Sequence, residues 1–240
     1  MRHTAHDHFL HVVLPAFRDF ASYYSNREMG LRPDTKNAAA IAGALRDLPE
    51  HVFYDLNGNT GYATNRSYRE SFWPQSRAYQ VICNFADVWK HRSISRPDRL
   101  LSCVDDIIEY YALIRYADEE GVYYGSRKLL VATLSDKSEQ DLGPLLLASL
   151  TLLAAELVRQ GLLPNIPDFP RLPSYFQSRT EAASALPMRI VCYVKEYIEV
   201  PQRCLIFDEN TGVPRPIKPG EGFDFQYGLV MEVQPSPIQS

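Results

Sequence analysis

The chain has 240 residues, of which 45% are hydrophobic and 22% charged, with a formal net charge of −4. That length and balance suit one large domain, or one domain with a small appendage, and exclude a disordered chain. The acidic total also excludes a protein that coats nucleic acid over its whole surface, so any phosphate contact must come from a local patch.

In chain order, Thr4 is a suitable cap for a first helix. Phe9, Val13, Phe17, Phe20 and Tyr24 then recur at three- and four-residue spacing, with Pro15 expected to kink or divide the helix. A second helical stretch follows Thr35 and places Ile41, Leu45, Leu48 and Val52 on one side. Pro49 should interrupt it, and the turn residues Asn57 to Gly61 should end it. A third helix starts near Pro74 and runs to about His91, with Ala78, Ile82, Phe85 and Trp89 as its buried face.

The pattern then changes. Residues 106–116 and 122–134 are rich in Ile, Val, Tyr and Leu, and Asp118 to Gly121 lies between them, which predicts a β-hairpin. Asp141 and Pro144 open a long apolar helix that closes at Gly161. Pro164, Pro167, Pro170 and Pro173 mark an extended connector. Strands are expected at 189–200, 203–207 and 223–233, with a turn at Asn210-Thr211-Gly212 and a frayed tail from Gln234.

The expected fold is therefore α+β: a helical bundle of about four main helices with an inserted β-hairpin and a small strand-rich C-terminal part. The boundaries are 1–163 for the bundle, with the hairpin at about 106–134, then 164–187 for the connector and 188–240 for the C-terminal part. The hairpin tyrosines 110, 111, 116, 123 and 124 are expected to be exposed and available for self-association.

Cys83, Cys103, Cys192 and Cys204 form no CxxC pair and sit among apolar neighbours, which points to buried free thiols in a reducing compartment. The N-terminal stretch has no long apolar run and does not resemble a signal peptide. The apolar stretch 145–157 is shorter than the roughly 20 residues a bilayer span requires. A cytoplasmic location without membrane association is expected. His3, His6, His8 and His11 have no acid or cysteine at ligand spacing, so neither a metal nor any other cofactor is expected. Motifs for nucleotide cofactors, P-loops, zinc proteases and α/β-hydrolases are missing.

The chemistry-bearing pattern is on the third helix. Residues seven apart point in nearly the same direction on a helix, so Arg77, Asn84 and His91 form a column, with Gln80 and Asp87 between. Asp87 stands one turn before His91 and could orient its ring for acid–base work. A solvated polar face fits the same pattern. Lys90, Arg92, Arg96 and Arg99 follow against the single acid Asp98, giving a local charge of about +3. The helix dipole accounts for Lys90 and Arg92. Arg96 and Arg99 lie beyond its reach, and either a phosphate or intramolecular pairing with acids such as Asp105 or Glu109 would account for them.

The string from Asn84 to His91, ending a helix and followed by a basic loop containing Arg-Pro, resembles HEPN-type helical-bundle proteins. The resemblance covers roughly residues 5–160. It implies an RNA-directed module of prokaryotic defence or stress systems, with metal-independent RNA cleavage in its active members. Those members carry an arginine four to six residues before a histidine. Here Asn84, Phe85 and Ala86 occupy those places before His91. In the catalytic version His91 is the acid or base, Asn84 and Asp87 position it, and Lys90, Arg92, Arg96 and Arg99 hold phosphate. A second formal match, Arg46 and His51, has Pro49 between its members, which lie about 140° apart on a regular helix. The alternative is a non-catalytic scaffold forming homo- or hetero-oligomers, for which the acidic charge and the incomplete motif speak. Expected partners are thus RNA through a local basic patch, a second copy or another protein.

Overall fold

The computed structural model describes residues 4–25, 28–29, 33–94, 99–185, 189–193, 201–223 and 231–234. Two compact units divide the chain, and both are discontinuous. Unit 1 comprises residues 1–24, 34–108 and 130–172, and unit 2 comprises 25–33, 109–129 and 173–240.

Unit 1 begins with α1, Ala5–His8, whose N-cap Thr4 accepts a hydrogen bond from Asp7 N at 3.0 Å. A π-helical turn, Phe9–Val13, leads into α2, Leu14–Ser25. The π turn is the physical answer to Pro15. Proline offers no N–H to the carbonyl four residues back, and the ladder widens so that Leu14 N–H reaches Phe9 O. The helix therefore passes through the proline and is not divided there.

The second proline is accommodated differently. α3 runs without a break over Pro33–Asp55, with Pro49 inside it, so the expected interruption does not occur. The carbonyl that Pro49 leaves without a backbone donor is that of Leu45. It accepts instead from the hydroxyl of Tyr79, at 3.4 Å, while the neighbouring Ala44 carbonyl lies 3.1 Å from His8 Nε2. Tyr79 is fully buried, so Tyr79→Phe leaves that carbonyl unsatisfied. We expect a loss of about 1 kcal/mol in the urea unfolding free energy.

The remaining helices of unit 1 are α4, Asn65–Glu70, α5, Arg77–His91, and, past the hairpin, α6, Leu142–Arg159. A short α4 was not foreseen in the sequence. α6 packs against α5, and Leu142, Leu146, Leu150, Leu153 and Leu157 join Phe9, Phe17, Ile41, Leu45, Ile82 and Phe85 in one core. By length and composition α6 is the one helix among the described residues that could cross a membrane, with mean hydropathy 1.6, and half of it is buried within the protein. Its leucines complete the core, and a core helix is what they specify.

The hairpin strands are β2, Ile107–Asp118, and β3, Gly121–Thr133. They do not project as an insertion from a four-helix bundle. They form the centre of a five-stranded mixed sheet ordered β4-β3-β2-β6-β7, where β4 is Glu139–Asp141, β6 is Gln202–Asp208 and β7 is Val213–Pro216. β4 lies antiparallel to β3, with Val131 opposite Asp141. β6 lies parallel to β2, with Tyr111 opposite Gln202 and Arg115 opposite Ile206. The reason is visible in the burial: β2 and β3 are buried in continuous runs, not in alternation. Strands covered on both faces leave long hydrogen-bonding edges that also need partners, and local and distant segments supply them.

Unit 2 contains α7, Arg179–Ala185, and a second sheet ordered β1-β5-β8, all parallel, from β1 Glu28–Met29, β5 Arg189–Tyr193 and β8 Met231–Gln234. The expected strands 189–200 and 223–233 extend in part beyond the described residues, as does the tail after Gln234. The hairpin tyrosines are not an exposed face. Tyr110, Tyr111 and Tyr116 are buried, and Tyr123 and Tyr124 are half-buried. Tyr116 donates to Tyr175 O at 2.8 Å and stacks on Tyr123, whose hydroxyl donates to Gln177 O at 2.9 Å. Arg203 lies over the ring of Tyr110 and donates to its hydroxyl at 2.7 Å. Tyr110, Tyr116 and Tyr123 thus spend their polar tips within unit 2.

Candidate functional site

The basic stretch at the end of α5 splits into an outward and an inward half. Lys90, His91 and Arg92 are exposed. Arg92 ends the helix in a left-handed conformation, φ 63°. The chain then folds back: Val104 N donates to Arg92 O at 2.9 Å, and Ile94 N to Ser102 O at 2.8 Å. Arg96 lies outside the described residues. On the return the chain carries Arg99 inward, and Leu100 N donates to the side-chain oxygen of Asn84 at 2.8 Å. Asn84 is fully buried, so this one amide pins the end of the loop to the middle of α5.

Asp87 is buried with it. Arg99 Nη2 lies 2.8 Å from one carboxylate oxygen and Arg46 Nε 2.7 Å from the other. A single negative charge thus sits between two guanidiniums from α3 and from the loop after α5. Side-chain exposure is 9% for Asp87, 6% for Arg99 and 26% for Arg46. Arg46 also meets Asp47, at 2.8 Å, an acid that is half exposed. Burial pulls the Arg46 pKa down, yet the carboxylates of Asp87 and Asp47 outweigh it and the net shift is upward. Arg46 is therefore a permanent cation.

The expected column of Arg77, Asn84 and His91 does not form a shared cleft. Arg77 is exposed and paired with Asp136, Asn84 and Asp87 are inside, and His91 is outside. No hydrogen bond joins Asp87 to His91 among the described residues, because both carboxylate oxygens face arginines. The reason is the packing of α5. Val81 to Val88 are buried without interruption, because α6 packs on this helix and Tyr79 and Asp87 reach α3. Trp89, expected in the buried stripe, is 42% exposed. His51 is half-buried and stacks on His8, with ring centroids 4.1 Å apart. His6 is exposed near Asp7, His11 is exposed, and His3 lies outside the described residues. No group of three or more His, Cys, Asp or Glu side chains that could hold a metal occurs among the described residues.

Three neighbours of this cluster had no signal in the sequence. Arg69 of α4 is half-buried and has no ion pair among the described residues. Together with Arg46 it acts electrostatically on the buried Cys83 thiol and on Tyr79. Trp73 faces Cys83 and lies under Arg99, whose guanidinium carbon is 5.7 Å from the ring centre. Burial holds the Cys83 thiol up at about 11, so it is neutral and adds no counter-charge.

Several buried nitrogens of this group have no hydrogen-bond acceptor among the described residues. They are Arg99 Nε and Nη1, Arg69 Nε, Trp73 Nε1 and Asn84 Nδ2. Arg46 Nε joins them, since it is close to Asp87 but not aligned for a hydrogen bond. Every one is a donor. A buried donor without an acceptor costs about 1–3 kcal/mol, so the cluster is arranged at the expense of stability. Such a set can hold an anion. No known family, curated protein or solved structure matches this chain.

Proposed function

We propose that unit 1 is a phosphate-recognising module, of the RNA-directed kind implied by the HEPN resemblance, and that it binds without cleaving. The observation that carries this is the arginine group around buried Asp87: Arg46 and Arg99 share its carboxylate, and Arg69 has no ion pair among the described residues. Lys90 and Arg92, exposed at the rim of α5, add surface charge of the same sign. Arginine is suited to the task because its planar donors match phosphate oxygens.

The catalytic version has lost its geometry. Asn84 is committed to Leu100 N and Asp87 to two guanidiniums, so neither is left to orient His91. Arg46 and His51 remain on one helix, with His51 against His8 and Arg46 against Asp87. Cys83, Cys103 and Cys204 are free, although of these only Cys83 is buried as expected and Cys204 is exposed; free thiols suit a cytoplasmic setting, where they stay reduced.

The test is equilibrium binding of a labelled single-stranded oligoribonucleotide, with integrity of the RNA followed on a gel in EDTA. We expect binding that weakens steeply with salt, no shortening of the RNA, and at least tenfold weaker binding by Arg69→Met. A chain that binds no RNA at low salt, or that cuts it, overturns the reading.

A further inference from the structure

Resting on that reading, we propose that the arginine group takes a terminal phosphate monoester, as the dianion, and not an internal phosphodiester. The first argument is charge. Among the described residues, Arg46, Arg69 and Arg99 oppose Asp87 alone in the interior, a surplus of two positive charges. Asp47 lies at the solvent side, where water screens it. A phosphodiester carries one negative charge, whereas a monoester carries close to two at neutral pH.

The second argument is donor count. The acceptor-free nitrogens named above come from five residues on α3, α4, α5 and their flanking loops. A monoester offers three terminal oxygens on one phosphorus, a diester only two. Every extra oxygen satisfies donors that are otherwise left desolvated and unpaired.

The third argument is access. Arg99 and Asn84 are inside, whereas Arg46, Arg69 and Trp73 are partly exposed. Entry past those three side chains would admit the end of a ligand. A phosphate in mid-strand needs two ways out for its chain, and the burial of Arg99 and Asn84 leaves none on their side. The end could belong to a nucleic acid or to a small phosphate ester, and the chemistry recognised is the same.

The experiment uses the full chain and oligoribonucleotides of one sequence bearing either a 5′-phosphate, a 3′-phosphate or hydroxyls at both ends, with inorganic phosphate as competitor. We expect at least one phosphorylated end to bind tenfold or more tighter than the hydroxyl-ended strand at equal salt. Inorganic phosphate should displace it. Arg69→Met should abolish the preference while leaving the thermal midpoint of the free protein unchanged or higher, since Arg69 holds no carboxylate among the described residues. Binding of inorganic phosphate with no binding of any strand supports the terminal-phosphate assignment, assigns the small-ester source and overturns the RNA-directed part of the reading. Equal binding of all three strands, weakened equally by Arg69→Met, overturns the terminal-phosphate assignment and leaves the phosphate-binding reading standing. If neither phosphate nor any strand binds, both fail.

Discussion

Asp87→Ala should lower the unfolding free energy by about 3–5 kcal/mol, the usual cost of removing one partner from a buried ion pair. For a chain of this size that corresponds to roughly 6–20 °C in the thermal midpoint. The cause is not the lost attraction alone. Arg99 is buried at 6% exposure, and without Asp87 its charge has little water and no carboxylate partner among the described residues. Asp47→Ala is the control. It removes an equally close acid from Arg46, but one that is half exposed, and should cost no more than about 1 kcal/mol. Added inorganic phosphate should raise the midpoint of Asp87→Ala more than that of the parent, because the three cations then have no buried carboxylate among the described residues, only the half-exposed Asp47 at Arg46. Equal midpoints for the parent and Asp87→Ala in urea or heat would mean that the carboxylate does not bridge the two arginines.

Glu156 governs the acid side of the stability profile. It lies near the end of α6, with 9% side-chain exposure. Oε1 accepts from Tyr68 at 2.5 Å, from Arg159 at 2.7 Å and from Gln160 at 2.8 Å, and Oε2 accepts from Arg159 Nε at 2.6 Å. Burial raises its pKa, but the donors from Arg159, Gln160 and Tyr68 outweigh it, and the carboxyl ends below its ordinary 4.5. The unfolded chain therefore takes up this proton first. The stabilisation is complete above about pH 4.5 and drains away as the pH falls through the folded value. Glu156→Gln should flatten the decline of the urea midpoint below that pH. Glu156→Ala should cost about 2–3 kcal/mol at neutral pH, chiefly by leaving the Tyr68 hydroxyl buried without an acceptor. A mutant profile that falls as steeply as the parent's would show that other carboxylates set the acid limb.

Much of the local structure was legible from residue order. Periodicity marked α2, α3, α5 and α6, and the turn at Asp118 to Gly121 marked the hairpin, because those signals lie within a few residues of one another. How each proline is accommodated was hidden for one reason: relief came from atoms distant in the chain at Pro49 and from a change of helix type at Pro15. Leu45 O found Tyr79, and Leu14 N–H moved to Phe9 O. The arrangement of strands was equally hidden, since β6 joins β2 from about ninety residues away.

The same division holds for the candidate site. By itself the sequence determined that cations cluster after α5, that Asn84 and Asp87 share that helix with His91, and that no complete catalytic motif accompanies them. Only the tertiary structure decided which way each one faces. An amphipathic pattern distinguishes inside from outside when a helix has one covered face, and α5 is covered nearly all round from Tyr79 to Val88. Asp87 could enter that interior because Arg46 and Arg99, far apart in sequence, arrive there to neutralise it. Pairing of this kind has no period, so residue spacing cannot disclose it.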